Sequence, residues 1–317
     1  MRLVIVNNTY CNSSPLAPIV LFVYNRLSHT KKTIESLQKN KLAIDSNLFI
    51  YSDHAKNKDS EQKVQKVRDY IGGVNGFKSV TIICREKNLG LADSIIDGVT
   101  NVVNRYGKII VLEDDIVTSP FFLKFMNEAL DYYKENNKVW HISGWNYPIN
   151  QDDFGDVFLW RLMNCWGWAT WKNKWSFFEK DPYFLIKNFK KIDIHKFNLD
   201  GAENFWNQVL QNKKGEINSW AVFWYANIYI NKGLCLNPSK TFSLNIGHDG
   251  SGVHCDSNSY FDDSLSLEDE VNLNCENIEN EIALKRIQDF YKNNKKNIFI
   301  RAVNKAFRFV FGVNIIN

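Results

Sequence analysis

The first 135 residues break into short apolar runs separated by longer amphipathic stretches. Pro18–Tyr24 is a continuous apolar run whose length suits a strand buried on both faces. Leu48–Tyr51, Val80–Cys84 and Ile109–Leu112 repeat that pattern. Between these runs the apolar positions move to helical spacing. Ser28–Gln38 reads as a polar helix with Thr30, Lys31 and Lys32 in its first turn, and Lys58–Ile71 as a charged surface helix closed by Gly72-Gly73. Residues 91–105 carry Leu91, Ile95, Val99, Val102 and Val103 on one helical face. Ser119-Pro120 then supplies an N-cap and a first-position proline for a helix through about Tyr133. This succession predicts an α/β chain with a largely parallel sheet flanked by helices, of the nucleotide-binding type. No internal repeat or low-complexity linker interrupts it.

Length and composition narrow the class without naming a function. A chain of 317 residues suits one large α/β domain or two small ones, and 44% hydrophobic content is enough for a full core. The net charge of +4 is too mild to imply nucleic acid. The six cysteines (Cys11, Cys84, Cys165, Cys235, Cys255, Cys275) show no CxxC spacing, which argues for reduced thiols in a cytoplasmic setting. Met1–Val6 is too short for a signal peptide, and no segment has the apolar length of a transmembrane helix.

The chemistry concentrates where the fourth apolar run ends. Glu113, Asp114 and Asp115 follow Leu112 at once, at the point where a central strand leaves its sheet. Ligands of open α/β sheets bind beyond the carboxyl ends of the strands. Three adjacent carboxylates repel one another unless a cation or a set of sugar hydroxyls holds them. A solvated acidic turn before a helix is the alternative reading.

Several tracts together resemble the GT-A glycosyltransferases, and more closely the family of N-acetylglucosaminyltransferase I and related bacterial sugar transferases. The matching tracts are Pro18-Ile-Val-Leu-Phe-Val-Tyr-Asn-Arg26, Tyr51-Ser-Asp53, Glu113-Asp-Asp-Ile-Val-Thr-Ser-Pro-Phe-Phe122 and Val139-Trp-His-Ile-Ser-Gly-Trp-Asn146. Asn164-Cys-Trp-Gly-Trp-Ala-Thr-Trp171 and Asn245-Ile-Gly-His-Asp-Gly-Ser-Gly252 look like the bacterial branch. The resemblance spans roughly residues 16–256. It implies a GT-A fold, with a nucleotide-sugar half at about 16–150 and an acceptor half at about 151–260, inside one domain ending near residue 290.

It also implies a division of labour. Asp115 would hold a divalent metal, Mn²⁺ or Mg²⁺, that neutralises the donor diphosphate as a Lewis acid. Glu113 and Asp114 would face donor sugar and ribose hydroxyls. Asp53 matches the residue near the base, Asn25 and Arg26 lie in the loop that cradles the nucleotide, and Asn88 belongs to a weaker Asn-x-Gly match. Arg85 either neutralises phosphate or pairs with Glu86 or another acid. His248 occupies the place of the late histidine that such enzymes bring to metal or diphosphate. A zinc site from His248, His254, Cys255 and Asp256 matches no standard spacing.

One departure matters. The family carries its catalytic base in a Trp-Asp-Asp-Trp stretch, whereas the comparable Asn218-Ser-Trp-Ala-Val-Phe-Trp224 holds no acid. Asp249, in the glycine-bracketed loop Gly247–Gly252, is the preferred candidate base, ahead of Glu203 and Glu216. The donor is expected to be a nucleotide sugar, UDP-linked by preference, and the acceptor a glycan or a lipid-linked oligosaccharide, with inversion at the anomeric carbon. His29, His54, His141 and His195 read as structural or surface residues. Of the tryptophans Trp160, Trp166, Trp168, Trp171 and Trp175, one or two are expected to touch sugar and the rest to fill the core.

Residues 291–317 form a separate C-terminal segment. Arg301, Lys305 and Arg308 fall on one helical face among bulky apolar residues. That pattern fits a helix lying on an anionic bilayer, or a terminal helix docked on the domain. Two rival functions remain. A sugar-phosphate nucleotidyltransferase would normally show a glycine-rich loop after its first strand, and Phe22–Arg26 has no glycine. A catalytically silent sugar-binding protein would suit the missing acid but not the intact triplet.

Overall fold

The computed structural model describes residues 15–247 and 264–294. The elements run β1 (Ile19–Val23), α1 (Leu27–Gln38), β2 (Asn47–Ser52), α2 (Lys58–Ile71), β3 (Ser79–Cys84), α3 (Leu91–Tyr106), β4 (Lys108–Glu113), β5 (Ile116–Thr118) and α4 (Phe122–Tyr132). There follow β6 (Val139–Ser143), β7 (Val157–Trp160), β8 (Trp168–Trp171), α5 (Lys172–Trp175), α6 (Pro182–Asn188), α7 (Lys191–Phe197), α8 (Trp206–Lys214), α9 (Ala221–Ile230), β9 (Leu234–Pro238) and β10 (Ser243–Asn245). A last helix, α10, covers residues 281–294.

Eight strands form one sheet in the order β3-β2-β1-β4-β8-β6-β9-β7, and β5 and β10 make a separate antiparallel pair. The strands from β3 to β4 are all parallel, which accounts for their continuous apolar runs. Successive residues of β1 point to opposite faces, so two cores form. Val20 and Phe22 pack with Ile95 and Val99 of α3 on one side. Ile19 and Leu21 pack with Ile34, Leu37, Val67 and Phe122 from α1, α2 and α4 on the other. The mixed α/β architecture, mostly parallel and flanked by helices, is the expected one.

Beyond β4 the sheet continues with β8 antiparallel to it. The tryptophan-rich tract thereby joins the central sheet instead of lying in a separate layer. Trp168, Trp175, Trp220 and Trp224 are all buried in the core cluster on the α3 side. Most of the tryptophans are therefore core, as anticipated.

One local expectation needs correction. The helix after the acidic triplet does not start at Ser119-Pro120. Pairing of Ile116–Thr118 with β10 keeps the chain extended through Thr118, so α4 starts at Phe122. Ser119 instead closes the intervening turn, accepting from the Phe121 amide at 3.2 Å and donating to the Ser266 carbonyl at 2.5 Å. The charged helix α2 ends at Ile71 and is capped by Gly72, as expected.

Within α10, Ala283, Leu284 and Ile287 are buried in the domain core. Of the C-terminal segment only residues 291–294 are described, where the Tyr291 hydroxyl bonds that of Tyr147 at 2.7 Å and Lys292 is exposed. The basic stretch with Arg301, Lys305 and Arg308 lies outside the described residues. No described helix is long and apolar enough to cross a membrane.

Candidate functional site

β1, β2 and β4 are parallel, so their carboxyl ends open on one edge of the sheet. The chain leaves β1 toward β2 on one side and later returns to place β4 on the other. That reversal is a topological switch point, where a crevice opens between the two directions of winding. Arg26 follows β1, Asp53 follows β2, and Glu113 ends β4, in register with Phe22. Local strand signals thus suffice to bring these side chains to one rim.

Arg26 is the counter-cation of the triplet. Its guanidinium forms an ion pair with Asp114 and a second with Asp115 at 2.9 Å. The Arg26 backbone is held in turn, its carbonyl accepting from the Thr30 amide at 3.0 Å and the Thr30 hydroxyl at 2.9 Å. No acidic residue occupies the first turn of α1, so the helix presents its amino end to the same crevice unneutralised. Burial works against the Arg26 charge, but the two aspartates outweigh it and hold the group protonated.

One guanidinium does not balance three carboxylates. Glu113 is pushed up to about 8, first by burial and then by the charges of Asp115 and Asp114. Asp114 rises to about 6, again through burial, although Arg26 pulls it down. Its Oδ2 is buried without a hydrogen-bond partner. His29, expected to be structural or at the surface, is buried and near enough to Asp114 to act on it electrostatically. A cluster with surplus negative charge and an orphaned carboxylate oxygen is one that a further cation would relieve.

The pairing of β5 with β10 supplies the far wall. Asn245 lies opposite Ile116, and the Ile246 amide donates to the Asp115 carbonyl at 2.9 Å. Gly247 then passes so close to Asp115 that a Cβ there would collide with its carboxylate. This contact is not legible in the sequence, because nothing there signals the three-residue β5. His248 and Asp249, the next two residues, lie outside the described residues, as do His254, Cys255 and Asp256. Among the described residues no three His, Cys, Asp or Glu side chains gather as a complete metal-binding set. The donor set nonetheless fits a divalent ion anchored by Asp115 and completed by ligand oxygens and water, since hard cations take carboxylate oxygens of this kind.

Asp53 and Asn88 meet, but chiefly to build a loop. The Asp53 carboxylate accepts from the amides of His54 (2.8 Å), Leu89 (3.0 Å) and Gly90 (2.9 Å) and from the Asn88 side chain (3.0 Å). Asn88 also donates to the His54 carbonyl at 2.6 Å. These bonds use the acceptor capacity of the carboxylate, and they fix the β3–α3 loop at the rim. Asn25 is half-buried at the bend after β1, and its amide makes no hydrogen bond among the described residues.

Arg85 takes the second of its two expected roles. It pairs with Asp97 of α3 and lies over the Tyr51 ring, 4.9 Å from the centroid. Its partner is therefore not Glu86, and its charge is already answered. Glu216 is exposed and paired with Lys214 at 3.5 Å. In the segment that lacks the expected acid, Trp220 is buried and stacked on Trp168 with centroids 5.2 Å apart.

No family model and no curated protein matches the sequence. Solved structures match it at low identity. A mannosyltransferase from Pyrobaculum calidifontis, in complex with GDP-Man and Mn²⁺, is 8% identical with a TM-score of 0.38, over 68% of this chain and 69% of that one. TarS of S. aureus is 10% identical with a TM-score of 0.39, over 71% of this chain but only 36% of its own. A protein from Bacillus anthracis assigned as a glucose-1-phosphate thymidylyltransferase is 12% identical with a TM-score of 0.39, over 72% of this chain and 89% of that one.

Proposed function

We propose that this chain is a glycosyltransferase that moves a sugar from a nucleotide-sugar donor, UDP-linked by preference, to a glycan or lipid-linked oligosaccharide. One observation carries the reading. Three carboxylates stand at the carboxyl end of β4, at the switch point, with Arg26 paired to two of them. Such a cluster is poised to take a divalent cation together with a hydroxyl-rich ligand. The missing glycine-rich loop after β1 weighs against a nucleotidyltransferase.

In this proposal Asp115 anchors the metal, Mn²⁺ or Mg²⁺, and His248 joins it from beyond Gly247. The bound cation supplies Lewis-acid neutralisation of the departing diphosphate. Arg26, next to the same carboxylates, adds fixed positive charge where the leaving group develops its own negative charge. Glu113 and Asp114 accept hydrogen bonds from the donor's sugar hydroxyls. Asn25 and the loop pinned by Asp53 and Asn88 line the nucleotide, with Asp53 acting by positioning. Asp249 takes the acceptor proton as the hydroxyl attacks, and inversion follows from a single displacement.

The test is calorimetric titration of UDP, GDP, CDP and TDP with and without Mn²⁺. One nucleoside diphosphate is expected to bind only when the metal is present. Asp115→Ala is expected to abolish that metal-dependent binding while circular dichroism and Tm stay near the parent values. Normal metal-dependent affinity in the variant would sink the assignment.

A further inference from the structure

A cavity of about 200 Å³ opens between the segment after β6, the β7–β8 connection, α8, α9 and α10. Its walls are aromatic: Trp145, Tyr147, Trp166, Phe205, Tyr225 and Tyr291. Trp145 and Trp166 meet edge to face with centroids 4.4 Å apart. No charged side chain lines it. A phosphate, a carboxylate or a nucleotide diphosphate would enter without a counter-ion, at a prohibitive desolvation cost. The occupant is therefore uncharged.

The hydroxyls in the wall are already committed. Tyr147 and Tyr291 bond to each other at 2.7 Å, and Tyr225 donates to the Phe197 carbonyl at 3.0 Å. Two carboxamides are not. Asn164 is 8% exposed and its Nδ2 is buried without a partner, and the half-buried Gln208 makes no side-chain hydrogen bond among the described residues. A hydrocarbon occupant would leave the Gln208 amide unpaired, at a cost of about 1–3 kcal/mol in general. A carboxamide offers a donor and an acceptor side by side, which matches adjacent hydroxyls on a ring. The volume lies below the roughly 300–1,000 Å³ typical of drug-sized ligands, so one ring fills it. Aromatic faces for C–H surface and an amide for hydroxyls together describe a sugar.

The cavity is also wired to the carboxylate site. The Trp166 carbonyl accepts from the Ser243 hydroxyl at 2.5 Å. Ser243 opens β10, whose continuation Asn245–Gly247 packs on Asp115. One wall residue of the cavity is thus tied to the strand that shapes the metal-binding rim.

We propose that this cavity binds one uncharged pyranose ring of the acceptor, held by stacking on its aromatic walls and by hydrogen bonds to Gln208. The word acceptor rests on the transferase reading, whereas sugar binding itself does not. Specificity would then favour neutral sugars over uronic acids or sugar phosphates at this position.

Saturation-transfer NMR on the full chain tests it, with the methyl glycosides of glucose, galactose, mannose and N-acetylglucosamine as probes and uridine and methyl glucuronoside as controls. At least one neutral glycoside is expected to bind with a Kd in the ~mM range, as a ligand of this size allows. Gln208→Ala is expected to weaken it about tenfold, in line with the loss of one buried hydrogen bond. Ala221→Phe, which fills the cavity from the start of α9, is expected to abolish it. Circular dichroism reports the fold of both variants, and nucleotide titration in the same samples reports the carboxylate site. Binding of no neutral glycoside, equal binding of the glucuronoside, displacement by uridine, or binding unmoved in folded variants overturns the proposal. Glycoside binding without any nucleotide binding keeps the sugar site and removes the transferase reading.

Discussion

His141 is fully buried, and its two ring nitrogens have unlike partners. Nδ1 accepts from the Trp224 indole N–H at 3.2 Å, so the proton sits on Nε2, which donates to the Asn164 carbonyl at 3.0 Å. A second proton on Nδ1 would face another N–H donor. Burial, opposed only by the bond to Asn164, pulls the group from 6.5 down to about 3. The unfolded chain therefore binds more protons between these values, and stability rises with pH. The contribution is complete above the unfolded value and is lost as pH falls from about 6.5 toward about 3. Between pH 7 and pH 5 this one group should remove about 2 kcal/mol. Urea titrations of wild type and His141→Gln at both pH values check it, the variant being expected to lack that increment. An identical pH dependence in the two proteins would mean that His141 is protonated in the fold. Arg26 is the opposite kind of residue, a group whose charge is held on by its neighbours. The same side chain in an ordinary helix N-terminus would be a solvated cation.

At the level of elements, close packing depends on glycine at two places. Gly98 lies inside α3 where a Cβ would come within 2.7 Å of the Phe22 ring and 3.3 Å of Tyr51. Those two rings stack with centroids 5.4 Å apart, so neither can yield freely. Alanine gains up to about 1 kcal/mol of helix propensity, whereas overpacking costs about 1–3 kcal/mol. The second effect wins, and Gly98→Ala is expected to be net destabilising by about 1 kcal/mol in chemical denaturation. A stabilised variant would show that α3 can lift from the sheet. Gly247 matters for the site rather than the fold, since its neighbour is the Asp115 carboxylate. Gly247→Ala is expected to weaken metal-dependent nucleotide binding about tenfold or more, with Tm nearly unchanged. Calorimetry showing parental affinity would separate the β10 wall from the metal site.

Across the whole molecule, the sheet does not stop near residue 150, where the resemblance puts the boundary between a nucleotide-sugar half and an acceptor half. β8 inserts between β4 and β6, so a strand of the later half lies between two strands of the earlier one. All ten tryptophans fall between Trp140 and Trp224, whereas helix content is spread along the chain. Tryptophan fluorescence and far-ultraviolet circular dichroism should therefore report coincident urea transitions, as a single cooperative unit requires. An earlier fluorescence transition would mark the later half as a separate unit.

Local pattern determined much of this protein, although no family model and no curated protein matches its sequence. Run length and helical period set the order β1 to β4 with their helices, because both signals are written in adjacent residues. Chain order alone then put Arg26, Asp53 and Glu113–Asp115 at strand ends, on a rim that parallel pairing makes common. What the sequence could not supply was pairing between distant residues. The capture of Asp53 by the Leu89 and Gly90 amides, the answer to Arg85 from Asp97, and the approach of Gly247 to Asp115 each join segments with no shared period. The short β5 strand escaped notice because three residues carry too little alternation to compete with a proline-led helix signal. The aromatic cavity needed the tertiary structure most of all. Its walls come from five segments, and only their packing decides which tryptophans close a core and which face an opening.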